Sequence, residues 1–346
     1  MLPLYAVRPG DRVAVVSPSW CAPQHFPAEH EVALRRLRHL FDVEPVEYPT
    51  TRLQGTAQER ARDLMAAFGD PTITAVLATI GGEDQLTVIP HLDPTVVRAN
   101  PKPFFGYSDN TNLLNWLAAQ GVPSVHGSST QVHLAPGPAV HPGHEATMRA
   151  ALFGGDVRLT PPARISEGTQ RWGTPESVLA ADTYPASEWV WRGDRAVRGR
   201  VWGGNLEVLQ WILGVGRWIP EPEELRDGVL LLETSEECPT PDEVRRMLRV
   251  LGERGLLAPV AGLIWARPKV EEGPMVPSNV GAAAATRTEH REQVLAALDT
   301  YNPGAVAVLD VDCGHTLPQL VLPYGQDVTI DPVAGALTAH FDRVTS

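Results

Sequence analysis

Three residues far apart in the sequence carry the side-chain types of nucleophilic acyl chemistry: Ser108, Glu233 and His315. Ser108 stands in FFGYSDN, between an apolar run and the helical-looking TNLLNWLAAQ. A serine on such a strand-to-helix turn presents its hydroxyl, and the N–H that follows it lies where it can hold an oxyanion. The local pattern is G-x-S-x-N rather than G-x-S-x-G, and it also suits a helix merely capped by Ser108 or Asp109. Glu233 ends the apolar run of GVLLLETSEE. A carboxylate there is costly to bury alone, so it either works or serves as a cap or ion-pair partner. His315 lies on a glycine-flanked turn in DVDCGHTLP, the placement of a general base and equally of an ordinary turn histidine. Its neighbour Cys313 has the apolar strand-end context of inert packing. A nucleophile, a base and a carboxylate that orients the base need no sequence proximity, so the chain order Ser…Glu…His is compatible with a triad.

Other polar clusters give less. Gly81-Gly82 in TIGGEDQL closes an apolar run and can bring a backbone N–H against a substrate oxygen. Phosphate binding there lacks both G-x-x-x-x-G-K-[ST] and G-x-G-x-x-G, and a plain tight turn is the remaining reading. HPGHE at 141–145 is rejected as a metal site, because Pro142 and Gly143 are expected to prevent the helical face that zinc ligands need. His126 in VPSVHGSS reads as a core-strand histidine. Trp172, Trp189, Trp191 and Trp202 read as packing residues, with any exposed ones available to stack a flat ligand. Nothing in the sequence calls for a metal or a cofactor.

The elements that must position these residues alternate through the first half. Val13–Val16, ITAVLATI, PFFGYSD and VPSVHGSS are short β-branched or apolar runs bounded by turn residues. Between them, 28–40, 56–68 with Thr56 as N-cap, HLDPTVVRANP, and NTNLLNWLAAQ stopped by Gly121 have helical spacing. That alternation predicts a mostly parallel α/β sheet over residues 1–150. A Pro/Gly-rich connector is expected over 151–189, with loop texture already from about 133, and a strand-rich α+β domain over 190–346. Within the latter, DEVRRMLRVLGERG is a helix, and 271–289 reads as a mobile loop ahead of the helix HREQVLAALDTY.

With 41 Asp+Glu against 29 Lys+Arg the net charge is −12, which argues against nucleic-acid and anionic-membrane partners. Hydrophobic residues at 43% are too many for a disordered chain. Three cysteines form no disulfide framework or C-x-x-C site, and the N-terminus lacks a signal-peptide pattern, so a reduced, cytoplasmic protein is expected.

Several segments in one order carry a resemblance: PGDRVAVVSPS, TIGGEDQLTVIPHLD, FFGYSDNTNLLNWL, VHGSS, GRVWGGNLEVLQWILG, GVLLLETSEE, VAGLIWARP and CGHTLPQLVLPYGQDVTID. Through them the chain resembles the LD-carboxypeptidase family of serine peptidases, and within it the microcin C immunity branch. The resemblance implies an N-terminal flavodoxin-like α/β domain (the class I glutamine amidotransferase-like sheet type), a C-terminal swivelling β/β/α domain, a site between them, and a homodimer. It implies Ser108 as nucleophile, His315 as base and Glu233 as the group that orients it. The amides of Asp109 and Gly82 would form the oxyanion hole. Asn205 in GGNL would lie near the pocket. One departure is visible, since the acidic residue common just after that glutamate is Thr234 here.

The family holds two substrate classes. One is the muropeptide cut between an L-centre and D-Ala. The other is a peptidyl or aminoacyl group joined to a nucleotide-like moiety, a compound thereby detoxified. The G-H-T-x-P segment, the longer connector and the Trp-rich stretch 172–202 favour the second, with Trp189 and Trp191 expected beside the substrate together with Gly81. A small-molecule binding protein is the non-enzyme alternative, since fold alone does not set function. A glutamine amidotransferase would need cysteine where Ser108 stands.

Overall fold

The computed structural model describes residues 1–168, 172–174 and 182–344. The connector residues 169–171 and 175–181 thus lie outside the described part. The first sheet contains β1 (Arg12–Val16), β2 (Glu44–Glu47), β3 (Ile73–Ala78), β4 (Phe104–Gly106) and β5 (Ser124–His126), all mutually parallel in the order 5-4-3-1-2. Reading from β2, this is the 2-1-3-4-5 order of a flavodoxin-like sheet, whose ligand crevice opens at the strand C-termini. The helices Pro27–Phe41, Ala57–Gly69 and Thr111–Ala119 connect these strands. Thr56 does cap its helix, accepting from the Glu59 amide while the Glu59 carboxylate accepts from Thr56 N–H at 2.9 Å.

The connector is less of a loop than its prolines and glycines suggest. Pro142–Phe153 is a helix with Pro142 in its first turn, where a missing N–H costs nothing. Contrary to expectation, Pro142 and Gly143 do not prevent a helix there. His141 instead caps it, and His144 faces Ser128 and the Gln319 carbonyl. Among the described residues no cluster of His, Cys, Asp or Glu has a metal-holding arrangement. The connector also supplies β6 (Gly155–Leu159), β7 (Arg164–Ile165) and β8 (Tyr184–Pro185).

A second, mixed sheet runs in the order 6-16-15-10-11-12-13-9. It uses β9 (Val190–Arg192), β10 (Val197–Asn205), β11 (Val229–Glu233), β12 (Gly262–Ala266), β13 (Val306–Val311), β15 (Asp327–Asp331) and β16 (Ala336–Phe341). Strands β10 to β13 are parallel, and their register places Asn205 opposite Glu233. β14 (Leu322–Tyr324) leaves this half and pairs antiparallel with β5, closing the edge of the first sheet. The two halves thus interlock, with β6 serving the second sheet and β14 the first. One continuous buried apolar cluster runs from Val13–Val16 through Leu230–Leu232 to Val306–Leu309. The expected loop 271–289 ends early, because Asn279 caps a 22-residue helix, Val280–Tyr301, by accepting from Ala282 N–H. Among the described residues no helix is long and apolar enough to cross a membrane.

Candidate active site

Ser108 sits immediately beyond β4, where Tyr107 is still extended and a single 3-10 turn, Ser108–Asn110, opens the helix Thr111–Ala119. Its φ is +61°, a left-handed conformation costing a non-glycine residue about 1–2 kcal/mol. The neighbours hold it there. Asp109 is fully buried, and its carboxylate accepts from Ser19 Oγ, from Gln85 N–H at 2.9 Å and from Asn112 Nδ2 at 2.8 Å. Asn110 donates through Nδ2 to the carbonyls of Ile80 and Tyr107 and accepts from Gln85 Nε2 at 2.7 Å. The turn after β4 and the Gly81–Gln85 turn after β3 are in this way one hydrogen-bonded unit.

Gly81 explains why that unit contains glycine. A Cβ there would fall 2.9 Å from Ser108 Oγ and 3.3 Å from the Asp109 nitrogen. The space beside the hydroxyl and the Asp109 amide therefore exists because Gly81 has no side chain. Gly82 has φ +156°, and a Cβ on it would strike Ser19 Oγ at 2.2 Å and Trp20 N at 2.8 Å.

His315 lies on the turn after β13. Its Nδ1–H donates to Glu233 Oε2 at 2.6 Å, and Glu233, at the end of β11, is completely buried. The turn is fixed from several sides. Gln319 donates to the Gly314 carbonyl, and His126 Nε2 meets the Cys313 carbonyl at 3.0 Å, so His126 is a core histidine with a positioning contact. Asp312 is gripped by the buried Arg267 at 2.7 Å and by the Trp189 indole N–H at 2.8 Å. Cys313 is fully buried, and burial pushes its thiol well above the ordinary range, as inert packing requires.

The second ring nitrogen holds a surprise for the sequence reading. His315 Nε2 faces Glu236 Oε2 at 3.2 Å, and among the described residues no hydrogen bond joins His315 to Ser108. Burial alone would depress His315, but Glu233 and then Glu236 outweigh it and raise the imidazole to about 10. Glu236 is correspondingly held down, to about 2, burial being outweighed by His315. Glu207 responds the other way. Burial and the adjacent Glu233 charge raise it to about 7, against hydrogen bonds from Ser235 N–H and Oγ, each 2.8 Å.

A cavity of about 350 Å³ brings together Gly81, Gly82, Ser108 and His315. Tyr107, Glu236, Lys269, Glu272, Trp20 and Trp172 complete its chemistry. Trp20 and Trp172 stack with centroids 6.3 Å apart and planes 19° apart, and Trp172 also packs against Phe26 at 5.1 Å. Trp189 and Trp191 are not there. They flank the start of β9, whose pairing with β13 places it at the outer edge of the second sheet. The Trp189 ring is buried with its N–H committed to Asp312, so it acts on the His315 turn and does not reach the cavity. Asn205 does not line the cavity either. Its Oδ1 caps the helix Leu206–Val215, and its N–H donates to Thr111 Oγ1 at 3.0 Å, tying β10 to the serine's helix. The residues missed from sequence, Trp20, Glu236, Glu272 and Lys269, belong to loops whose only signal was an aromatic or charge beside a glycine or a strand end.

The LD-carboxypeptidase N-terminal domain model matches residues 13–127, and the LD-carboxypeptidase C-terminal domain model matches residues 198–330. The microcin C7 self-immunity protein MccF of Escherichia coli is 28% identical over 286 residues, covering 80% of this chain and 76% of MccF. The murein tetrapeptide carboxypeptidase of Pseudomonas aeruginosa is 36% identical over 106 residues, 28% of this chain and 33% of that one. The structure of MccF in complex with glutamyl sulfamoyl guanosine superposes with a TM-score of 0.84 at 24% identity, covering all of both chains.

Proposed function

The chain belongs to the LD-carboxypeptidase family of serine peptidases, and on that premise we propose that it is a hydrolase of the microcin immunity type, cleaving aminoacyl- or peptidyl-nucleotide-like compounds. The observation that carries this reading is the stacked Trp20–Trp172 pair in the same cavity as Ser108 and His315. Indole faces suit a nucleobase, which every base offers as a π-surface. That MccF is bound to glutamyl sulfamoyl guanosine supports the same class.

In this reading Ser108 Oγ attacks the acyl carbonyl and its proton passes to His315 Nε2. Glu233 holds the ring by its Nδ1–H and stabilises the imidazolium. The oxyanion is received by the amides of Asp109 and Gly82 in the space left by Gly81. His315 then returns the proton to the leaving group as the acyl bond breaks, and water attacks the acyl-enzyme by the same route in reverse. A murein-type substrate is the second reading. Lys269, buried and lining the cavity, is a cation suited to the terminal carboxylate of a D-Ala leaving group.

The test is hydrolysis of an L,D-tetrapeptide and of an aminoacyl sulfamoyl adenosine, followed by mass spectrometry, for the wild type and Ser108→Ala. Release of the sulfamoyl nucleoside, lost by several powers of ten in the variant, is the expected result. Release of D-Ala alone would replace the first reading by the second. Undiminished turnover in Ser108→Ala would remove the nucleophile assignment.

A further inference from the structure

A general base needs an unoccupied lone pair, and in this site the nitrogen that must accept the serine proton faces a carboxylate. His315 Nε2 lies 3.2 Å from Glu236 Oε2, while Nδ1 is held by Glu233 at 2.6 Å. The two carboxylates differ in kind. Glu233 is wholly buried at a strand end, whereas the Glu236 side chain is 58% exposed on the turn that follows. One is enclosed by the fold, and the other has solvent beside it into which its side chain can turn once a competing cation replaces the imidazolium as its partner.

We propose that Glu236 is a specificity latch: it occupies His315 Nε2 in the resting enzyme and is drawn off by a substrate whose acyl group carries an ammonium next to the scissile carbonyl. The inference rests on the Ser108–His315 reading above. The reach is right. A serine oxygen in attack lies about 3 Å from both the base nitrogen and the carbonyl carbon, and an α-amino nitrogen is one carbon further on. A carboxylate beside Nε2 is therefore within a rotamer change of that ammonium. Two carboxylates able to meet an ammonium, Glu236 and Glu272, line the cavity beside Lys269 and the His315 imidazolium.

The other groups around His315 do not substitute for the latch. From β11 comes Glu233, and behind it Glu207, which bears on Glu233. From the end of β4 comes the Tyr107 ring, 4.8 Å away, its hydroxyl held protonated by burial. From β5 and the 130–134 turn come His126 and His133, both kept neutral by burial. On its own turn is Cys313, also protonated. Lys269 acts on Glu236. Among the described residues Glu236 is thus the one charge that faces Nε2. With both carboxylates in place the imidazolium persists to about 10, and removing one charge lowers that value, so the base becomes available at lower pH.

Two measurements on Glu236→Gln test this, with Glu236→Asp as the conservative control. A fluorophosphonate carries no ammonium, so it cannot draw the latch from the wild type. Labelling of Ser108 by the glutamine variant is expected to be at least about tenfold faster at pH 7, with its acid limb about one pH unit or more lower. The second measurement compares an aminoacyl sulfamoyl adenosine with its N-acetyl derivative. The wild type is expected to prefer the free amine by about tenfold or more in kcat/KM, one charged contact's worth, and the glutamine variant to lose most of that ratio. The aspartate variant should retain it in part. Superimposable labelling profiles, or an unchanged ratio, overturn the latch while leaving the serine mechanism intact. A wild type that is neither labelled nor active at any pH overturns the serine mechanism and the latch together.

Discussion

Replacing Gly81 with alanine adds one methyl group 2.9 Å from both Cβ and Oγ of Ser108 and 3.3 Å from the Asp109 nitrogen. Carbon–carbon contacts settle near 3.5–4.0 Å, so the overlap is roughly 0.6–1 Å. The hydroxyl could rotate away, but Cβ cannot follow without moving a backbone held at φ +61° by Asp109 and Asn110. Gly81 itself is not in the left-handed region, so alanine adds no backbone strain and the effect reads the contact alone. Overpacking of this size costs about 1–3 kcal/mol of stability. The kinetic effect is larger. Displacing a reacting group by about 1 Å costs about 10²-fold, and obstructing an oxyanion donor costs about 10²–10³-fold. We therefore expect kcat/KM to fall about 100- to 1,000-fold while Tm drops only modestly. The assay is turnover of the sulfamoyl adenosine with parallel fluorophosphonate labelling and calorimetry. An alanine variant within threefold of wild type in both rates would show that the space beside Gly81 is not where the oxyanion forms.

Further outcomes follow from the same geometry. Glu233→Gln keeps the volume but removes the charge from His315 Nδ1; kcat should fall by about 10³–10⁴-fold with the fold retained by circular dichroism, and a loss under tenfold would contradict its orienting role. Trp172→Ala should weaken binding of the sulfamoyl nucleoside by about 1–3 kcal/mol in calorimetric titration while sparing any D-Ala release; equal affinity would exclude stacking on this ring. Glu207→Gln tests linkage. A carboxyl raised from 4.5 to about 7 binds its proton more tightly folded than unfolded, so its contribution is present below 4.5 and lost as pH rises through about 7. The wild type should therefore lose stability over that window, by at most on the order of 3 kcal/mol, and the variant should lose less, as read from urea midpoints at pH 5 and 8.

What the sequence disclosed and what it hid divide along chain separation. The Ser108 turn was legible because an apolar strand, a glycine and a helix start lie within a dozen consecutive residues, and local order alone sets the chemistry of such a turn. The parallel sheet was legible from alternation. The helix Pro142–Phe153 was misread because the same Pro-Gly pair that breaks a helix interior is harmless in a first turn. Trp189 and Trp191 fall outside the cavity, unlike Trp172, for a different reason. Composition shows that indoles are present, but whether a ring faces a cavity depends on pairings such as β9 with β13, which nothing near Trp189 encodes. Trp20 meets Trp172 across about 150 residues, and Glu236 meets His315 across about 80.

The same separation shapes the chemistry. Ser108 and its amide neighbours come from the first sheet, whereas Glu233, Glu236 and His315 come from the second. Side chains split this way are only as well aligned as the seam, and the seam is built to hold. Asn205 binds Thr111 of the serine's helix directly beside Glu233, β14 leaves the His315 turn to become a strand of the serine's sheet, and His126 of that sheet meets the Cys313 carbonyl. Each contact joins the helix or sheet of Ser108 to the His315 turn, to the strand that follows it, or to the register partner of Glu233. Rigid-body drift between the halves would have to break all three. The Glu236 side chain, 58% exposed, takes no part in these three contacts, so its substitution is expected to leave the alignment of the two halves in place.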